Sequence, residues 1–192
     1  MYKKILLLIL LLGFGGFSYA TFEYAVDKYF KENIEAAYPQ FKILAEQGDA
    51  KAQRYLSYIY ESGEGDIEQD EVLALSWKEK SLEGLMLLSE EGDPEAQYYL
   101  AEHYEEIFED NDLAESWRKK SFSGFLQRAQ LGDAYSQAWL SYFYSSGTGV
   151  DADQELSTKW EKEAAINGDA FSQYWLGSVS YTHLTLPTIL LV

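Results

Sequence analysis

Apolar residues recur along most of this chain at the three- and four-residue spacing of a single helix face. The first run reads Phe22, Ala25, Val26, Tyr29 and Phe30, then Ile34 and Ala37. Pro39 interrupts it, because proline removes a backbone donor that a continuing helix needs. Phe41, Ile43, Leu44 and Ala45 follow. Residues 21–47 are therefore predicted to form two helices divided at Pro39, the first closing one end of a stack and the second leading onward. Beyond them Ala52, Leu56 and Tyr60 fall at i, i+4 and i+8 on one face. Ala96, Leu100 and Tyr104 repeat the order, then Ser136, Leu140 and Tyr144, then Ser172 and Leu176. A small residue, a leucine and a tyrosine predict close helix packing with the hydroxyl at the rim. A second face carries Trp77, Trp117 and Trp160, each with a small residue three before it (Ala74, Ala114, Ser157) and four after it (Ser81, Ser121, Ala164). These share the tryptophan's side of the helix, so neighbouring backbones can approach while the indole fills the gap.

Those faces belong to a repeated unit. It starts at Gly48, Gly92, Gly132 and Gly168, so the starts are 44, 40 and 36 residues apart. Periods of this length mean stacked supersecondary units. In each unit Asp49, Asp93, Asp133 or Asp169 stands where an N-cap carboxylate can accept orphan backbone N–H groups. Pro94 takes the favoured first helical position. The glycine before each aspartate suits the left-handed conformation that ends a helix, so every Gly-Asp pair closes one helix and opens the next as an antiparallel hairpin. Turns follow at Gly63-Glu64-Gly65 and Gly147-Thr148-Gly149, whereas the second unit has lost both glycines. The second helix is extended by seven residues in the first two units, and Gly84 and Gly124 in those extensions predict a kink or a close contact.

The two ends read differently. Lys3 and Lys4, the apolar run Ile5 to Phe17, and small residues at Ser18 and Ala20 predict a secretory leader, 1–20, cut after Ala20. Thirteen apolar residues fall short of the roughly 18–20 that span a bilayer, which disfavours an uncleaved anchor. At the far end no charge follows Asp169. Val179 to Thr188 resembles a translated sequencing-library adapter, so 179–192 is expected to be a non-native tail and the native chain to continue past Ser178. The expected organisation is 21–47 capping helices, 48–91, 92–131 and 132–167 full repeats, and 168–178 a truncated fourth.

Fifteen basic and 32 acidic residues give a net charge of −17, and loss of the leader with its two lysines would leave −19. That balance argues against nucleic acid and anionic membranes. It keeps a secreted protein soluble and permits a cationic partner. No cysteine is present, so neither a disulfide nor a thiol nucleophile is available. Of two histidines, His183 lies in the suspect tail and His103, beside Tyr104 and two glutamates, reads as a solvated helical residue. No HExxH accompanies it, and the Gly-x-Gly turns lack the Lys-Ser/Thr of a phosphate loop. The acidic runs from Asp66 and Asp151 fail the EF-hand requirement for Gly at position six and Glu at twelve. Paired carboxylates for glycoside hydrolysis need a separation that sequence does not fix. No catalytic, metal or cofactor site is assigned.

The Gly-Asp-Ala start, the small residue and Gln, the Leu with Tyr four residues on, the Gly-x-Gly turn and the Ala-x-x-Trp second helix resemble Sel1-like repeats, relatives of the tetratricopeptide repeats, over about 48–178. The resemblance implies an all-α fold, a right-handed α-solenoid of antiparallel helix hairpins. It also implies a scaffold or adaptor that binds a protein or peptide, often in bacterial envelopes; with the predicted leader and the missing catalytic motifs, a monomeric, non-enzymatic protein is expected, periplasmic or secreted and without stable membrane insertion. In similar repeats the first helix of each pair lines a concave surface. That places Arg54, Tyr58, Tyr98, Glu102, Tyr142 and Tyr174 at the binding face, with Tyr58, Tyr98 and Tyr142 either as rigid contacts or as groove cover. Two alternatives stand beside this reading: a regulator or enzyme of cell-wall turnover, and the repeat segment of a longer protein whose functional domain is missing.

Overall fold

The computed structural model describes residues 21–31, 34–169 and 172. The expected leader (1–20) and tail (179–192), Tyr174 and nearly all of the expected fourth repeat lie outside the described residues. The described chain forms eight helices and no strand. They are α1 (Phe22–Lys31), α2 (Ile34–Glu46), α3 (Ala50–Ser62), α4 (Glu71–Glu90), α5 (Pro94–Glu106), α6 (Asn111–Gln130), α7 (Ala134–Ser146) and α8 (Gln154–Ile166). Each helix packs on its neighbours in sequence, with α3 on α4, α5 on α6 and α7 on α8 as the tightest pairs. This is an all-α repeat fold.

Pro39 does not divide two helices. It lies inside α2 and is exposed. One hydrogen bond is lost there, but Ile34, Ala37, Phe41, Leu44 and Ala45 bury one face that runs past the proline on both sides. Packing of that face outweighs the local defect.

Capping explains the joints. The carboxylates of Asp49, Asp93 and Asp133 accept the N–H groups of Ala52, Ala96 and Ser136 at 2.8, 2.8 and 2.9 Å, and Asp169 accepts that of Ser172 at 2.7 Å. The preceding Gly48, Gly92, Gly132 and Gly168 all have φ between 90° and 99°, where a Cβ is strained. A buried glutamine completes each joint: Gln53, Gln97 and Gln137 donate side-chain N–H to the carbonyls of Ala45, Ser89 and Ala129 at 3.0–3.1 Å. The second helices have aspartate caps of their own, Asp70, Asp110 and Asp153.

The long second helices α4 and α6 have 20 residues against 13 in α8. Gly84 and Gly124 sit where they cross the first helix of the same repeat: a Cβ would fall 2.6 Å from Ala50 Cβ and 2.9 Å from Pro94 Cβ. These are close contacts. The glycine turns of the first and third repeats fold back on the preceding layer, a Cβ at Gly149 falling 2.8 Å from the Arg118 carbonyl.

Candidate functional site

The first helices of the repeats, together with α1, enclose a groove of about 480 Å³ whose lining is dominated by tyrosine. The aromatic residue at the seventh position after each repeat glycine (Tyr55, Tyr99, Trp139) starts its construction. Tyr55 stacks on Phe41 at 4.3 Å and Trp139 on Phe125 at 4.9 Å, so each ring is clamped by the helix before it. From those anchors a ladder of rings crosses the repeats. Tyr55 meets Tyr58 at 6.4 Å, Tyr58 meets Tyr99 at 6.0 Å, and Tyr99 meets Tyr98 at 5.8 Å. Tyr98 then meets Trp139 at 4.9 Å, and Trp139 meets Tyr142 at 5.9 Å. The tilted and edge-on geometries are those that the ring quadrupoles favour.

Hydrogen bonds fix the hydroxyl ends. Tyr58 donates to Glu102, Tyr29 donates to Glu64, and the hydroxyls of Tyr98 and Tyr142 share a bond of 2.9 Å. Beneath the groove Glu95 accepts from Tyr135 at 2.6 Å, from Tyr99 at 3.1 Å and from Lys51 at 3.1 Å. Burial pushes the tyrosines 55, 58, 98, 99 and 135 above the ordinary phenol value. They present neutral hydroxyls at physiological pH. Glu102 is also pushed up, by burial first, against the opposing pull of Arg54 and Tyr58.

Tyr58, Tyr98, Glu102 and Tyr142 line this groove together. Tyr142 is the most open of the four, at 43 % exposed. Arg54 has to be corrected. It is fully buried, with its guanidinium 3.1 Å from Glu102 and 3.6 Å from Glu106. The neighbouring repeat supplies carboxylates that neutralise a charge which would otherwise stay in solvent, so Arg54 bonds within the molecule and is not offered to a partner. His103 is corrected as well. It is buried, with Nδ1 2.9 Å from the Tyr99 carbonyl and Nε2 2.9 Å from that of Lys78.

Tyr29, Tyr55, Tyr99, Tyr135, Trp139 and Glu64 also line the groove, although the sequence reading places none of them at the binding face. Part of the signal was there, as an aromatic residue immediately before the repeat leucine in every unit. The contributions of Tyr29 and Glu64 had none, since they depend on how α1 and the first loop fold over α3. Among the described residues no cluster of His, Asp and Glu is placed to hold a metal, and no helix is long and apolar enough to cross a membrane.

Among solved structures the chain is similar to a Sel1 repeat protein from Oxalobacter formigenes, with 29% identity over 73% of this chain and 97% of that one (TM-score 0.33). It is also similar to c5321, a protective antigen of uropathogenic Escherichia coli strains displaying an SLR fold, with 28% identity over 83% of this chain and 33% of that one (TM-score 0.34). Pseudomonas aeruginosa PA5086 is 14% identical over 86% of this chain and 87% of that one (TM-score 0.38). No curated protein matches the chain. The family model for the Sel1 repeat matches residues 50–84, 94–120 and 134–169, just over half of the sequence. With three matched segments that begin at or beside the capped starts of α3, α5 and α7, the chain belongs to the Sel1 repeat family.

Proposed function

We propose that this protein is an exported interaction scaffold, active in the envelope or outside the cell, which holds an extended segment of a protein partner in the aromatic groove. The carrying observation is the groove itself: a ladder of rings, clamped from behind and bonded at the hydroxyls, with an open ring at Tyr142. Rigid amphipathic rings give contact area at small entropic cost, which is why tyrosine and tryptophan dominate binding hot spots. Sel1 repeats commonly mediate protein interactions, and the family is typically non-catalytic. Export rests on the leader-like residues 1–20, so the mature chain is expected to begin at Thr21.

Site-specific photo-crosslinking in the source organism tests the docking face. A crosslinker at position 62, an exposed serine on the groove lining, is expected to trap a protein adduct, whereas one at Leu87, 59 % exposed on α4, is expected to trap none. Adducts at both positions, or at neither, would overturn the groove reading. N-terminal sequencing after cell fractionation tests export separately; an intact Met1 in the cytoplasmic fraction would contradict it.

A further inference from the structure

Two equivalent positions of the first helices carry different residues in successive repeats. The sixth residue after the repeat glycine is Arg54, then Tyr98, then Ala138, and the tenth is Tyr58, then Glu102, then Tyr142. In the first repeat the pair forms an internal arginine site. The Arg54 guanidinium lies 4.1 Å from the centre of the Tyr58 ring, one helical turn further along α3, and reaches the carboxylates of Glu102 and Glu106. In the second repeat the aromatic Tyr98 takes that place and extends its hydroxyl to Tyr142. In the third repeat Ala138 stops at its Cβ. The ring beside it, Tyr142, is 43 % exposed, and the rings of Tyr98 and Trp139 flank it, each at 5.9 Å.

Arg54 already pairs Glu102 at 3.1 Å, so the carboxylate left to a ligand at this position is that of Asp169. Ala138, Tyr142, Tyr98, Trp139, Glu102 and Asp169 line the same cavity, and no lysine, arginine or histidine is among the described residues that do so. Burial, with the nearby charges of Asp133 and Asp27 as smaller contributions, raises the Asp169 carboxyl above its ordinary value against the bonds from Ser172. A cation entering the groove would relieve that repulsion.

We propose that the Ala138 position is a receptor for an arginine side chain of the bound partner, its guanidinium lying on Tyr142 as Arg54 lies on Tyr58. The Asp169 carboxylate, on the lining of the same cavity, supplies the opposite charge. A planar, weakly hydrated guanidinium stacks on a ring face better than a lysine ammonium does, so arginine is the expected residue. This assignment rests on the groove being the docking face.

The test is an NMR titration of the mature protein with two short blocked peptides, Gly-Ser-Arg-Ser-Gly and its citrulline counterpart, which keeps the shape and removes the charge. The Trp139 indole signal, assigned with Trp139→Phe, is the reporter. The arginine peptide is expected to shift it saturably, and the citrulline peptide to bind at least tenfold more weakly. Ala138→Arg, which fills the site from within, is expected to abolish the shift, while Ala138→Gln keeps it. Equal binding of the two peptides, unchanged binding by Ala138→Arg, or no saturable shift would each overturn the assignment. Should Ala138→Arg fail to fold by its circular dichroism melt, Tyr142→Leu replaces it, with a tenfold loss expected and wild-type binding as the refuting result. If Ala138→Arg loses the peptide yet still yields the position-62 adduct, partner capture does not use the arginine. Loss of both adduct and peptide supports the assignment. A missing adduct in the wild type with intact peptide binding refutes the groove reading alone.

Discussion

His103 occupies the position that Ile59 fills one repeat earlier and Phe143 one repeat later, and all three are buried. An imidazole there is held by two carbonyl oxygens, but the neutral ring has a single N–H to give. Burial, with smaller contributions from Arg54 and Lys78, disfavours the cation and outweighs the two carbonyls, so the group sits below the ordinary histidine value. A depressed basic group binds fewer protons folded than unfolded. Its contribution to stability is therefore complete above an unfolded value of about 6.5 and is lost as pH falls through 6.5 toward the folded value. Relative to His103→Phe, the wild-type melting temperature is expected to drop between about pH 7 and pH 5. A flat difference between the two proteins over that window, or an NMR titration of His103 above 6.5, would contradict this. Arg54 makes a related point: its burial came from carboxylates 48 and 52 residues further along the chain, which no local window of sequence contains.

Helix crossings decide the next level. Gly84 sits within α4, where glycine costs about 1 kcal/mol relative to alanine by propensity alone. Its Cβ would meet the Ala50 Cβ at 2.6 Å, and overpacking of this kind costs about 1–3 kcal/mol. Steric overlap should win, so Gly84→Ala is expected to lower stability by about 1 kcal/mol in urea denaturation, and adding Ala50→Gly should recover part of it. Stabilisation by Gly84→Ala alone would show that the crossing has slack. The length of α4 and the aspartate starts of α3, α5 and α7 were legible, because capping and periodicity act within a few residues, whereas the spacing of Gly84 left a kink and a close contact both open and the crossing decided for the contact. That α2 runs unbroken through Pro39 was not legible. Whether a helix survives proline depends on the face it buries on both sides, and that face is defined by α1 and α3.

At the scale of the molecule, stacked repeats touch mainly their neighbours, and such arrays can unfold piecemeal. Here Tyr135 of the third repeat packs against both the N-terminal core cluster and the C-terminal one, while Tyr98 joins the middle cluster to the last. Tyr135 thereby ties the layers together beyond nearest neighbours. Leu140→Ala, at a fully buried position, is expected to cost about 2–5 kcal/mol and to shift one cooperative transition. Far-UV circular dichroism and tryptophan fluorescence should give coincident midpoints; separated midpoints would mean that the layers unfold independently. Sequence by itself determined the repeat register, the capped helix starts, the glycine turns and the long second helices, since each follows from backbone chemistry and spacing inside one unit. It also placed Tyr58, Tyr98, Glu102 and Tyr142 on one face, because equivalent positions of stacked repeats fall in line. Only the tertiary structure decided which of those positions stay accessible. Arg54 vanished into an ion pair with the next repeat, and α1 closed over the groove with Tyr29. Tyr142 stayed open beside an alanine. Accessibility depends on which side chains of adjacent layers reach one another, and that is a property of the stack.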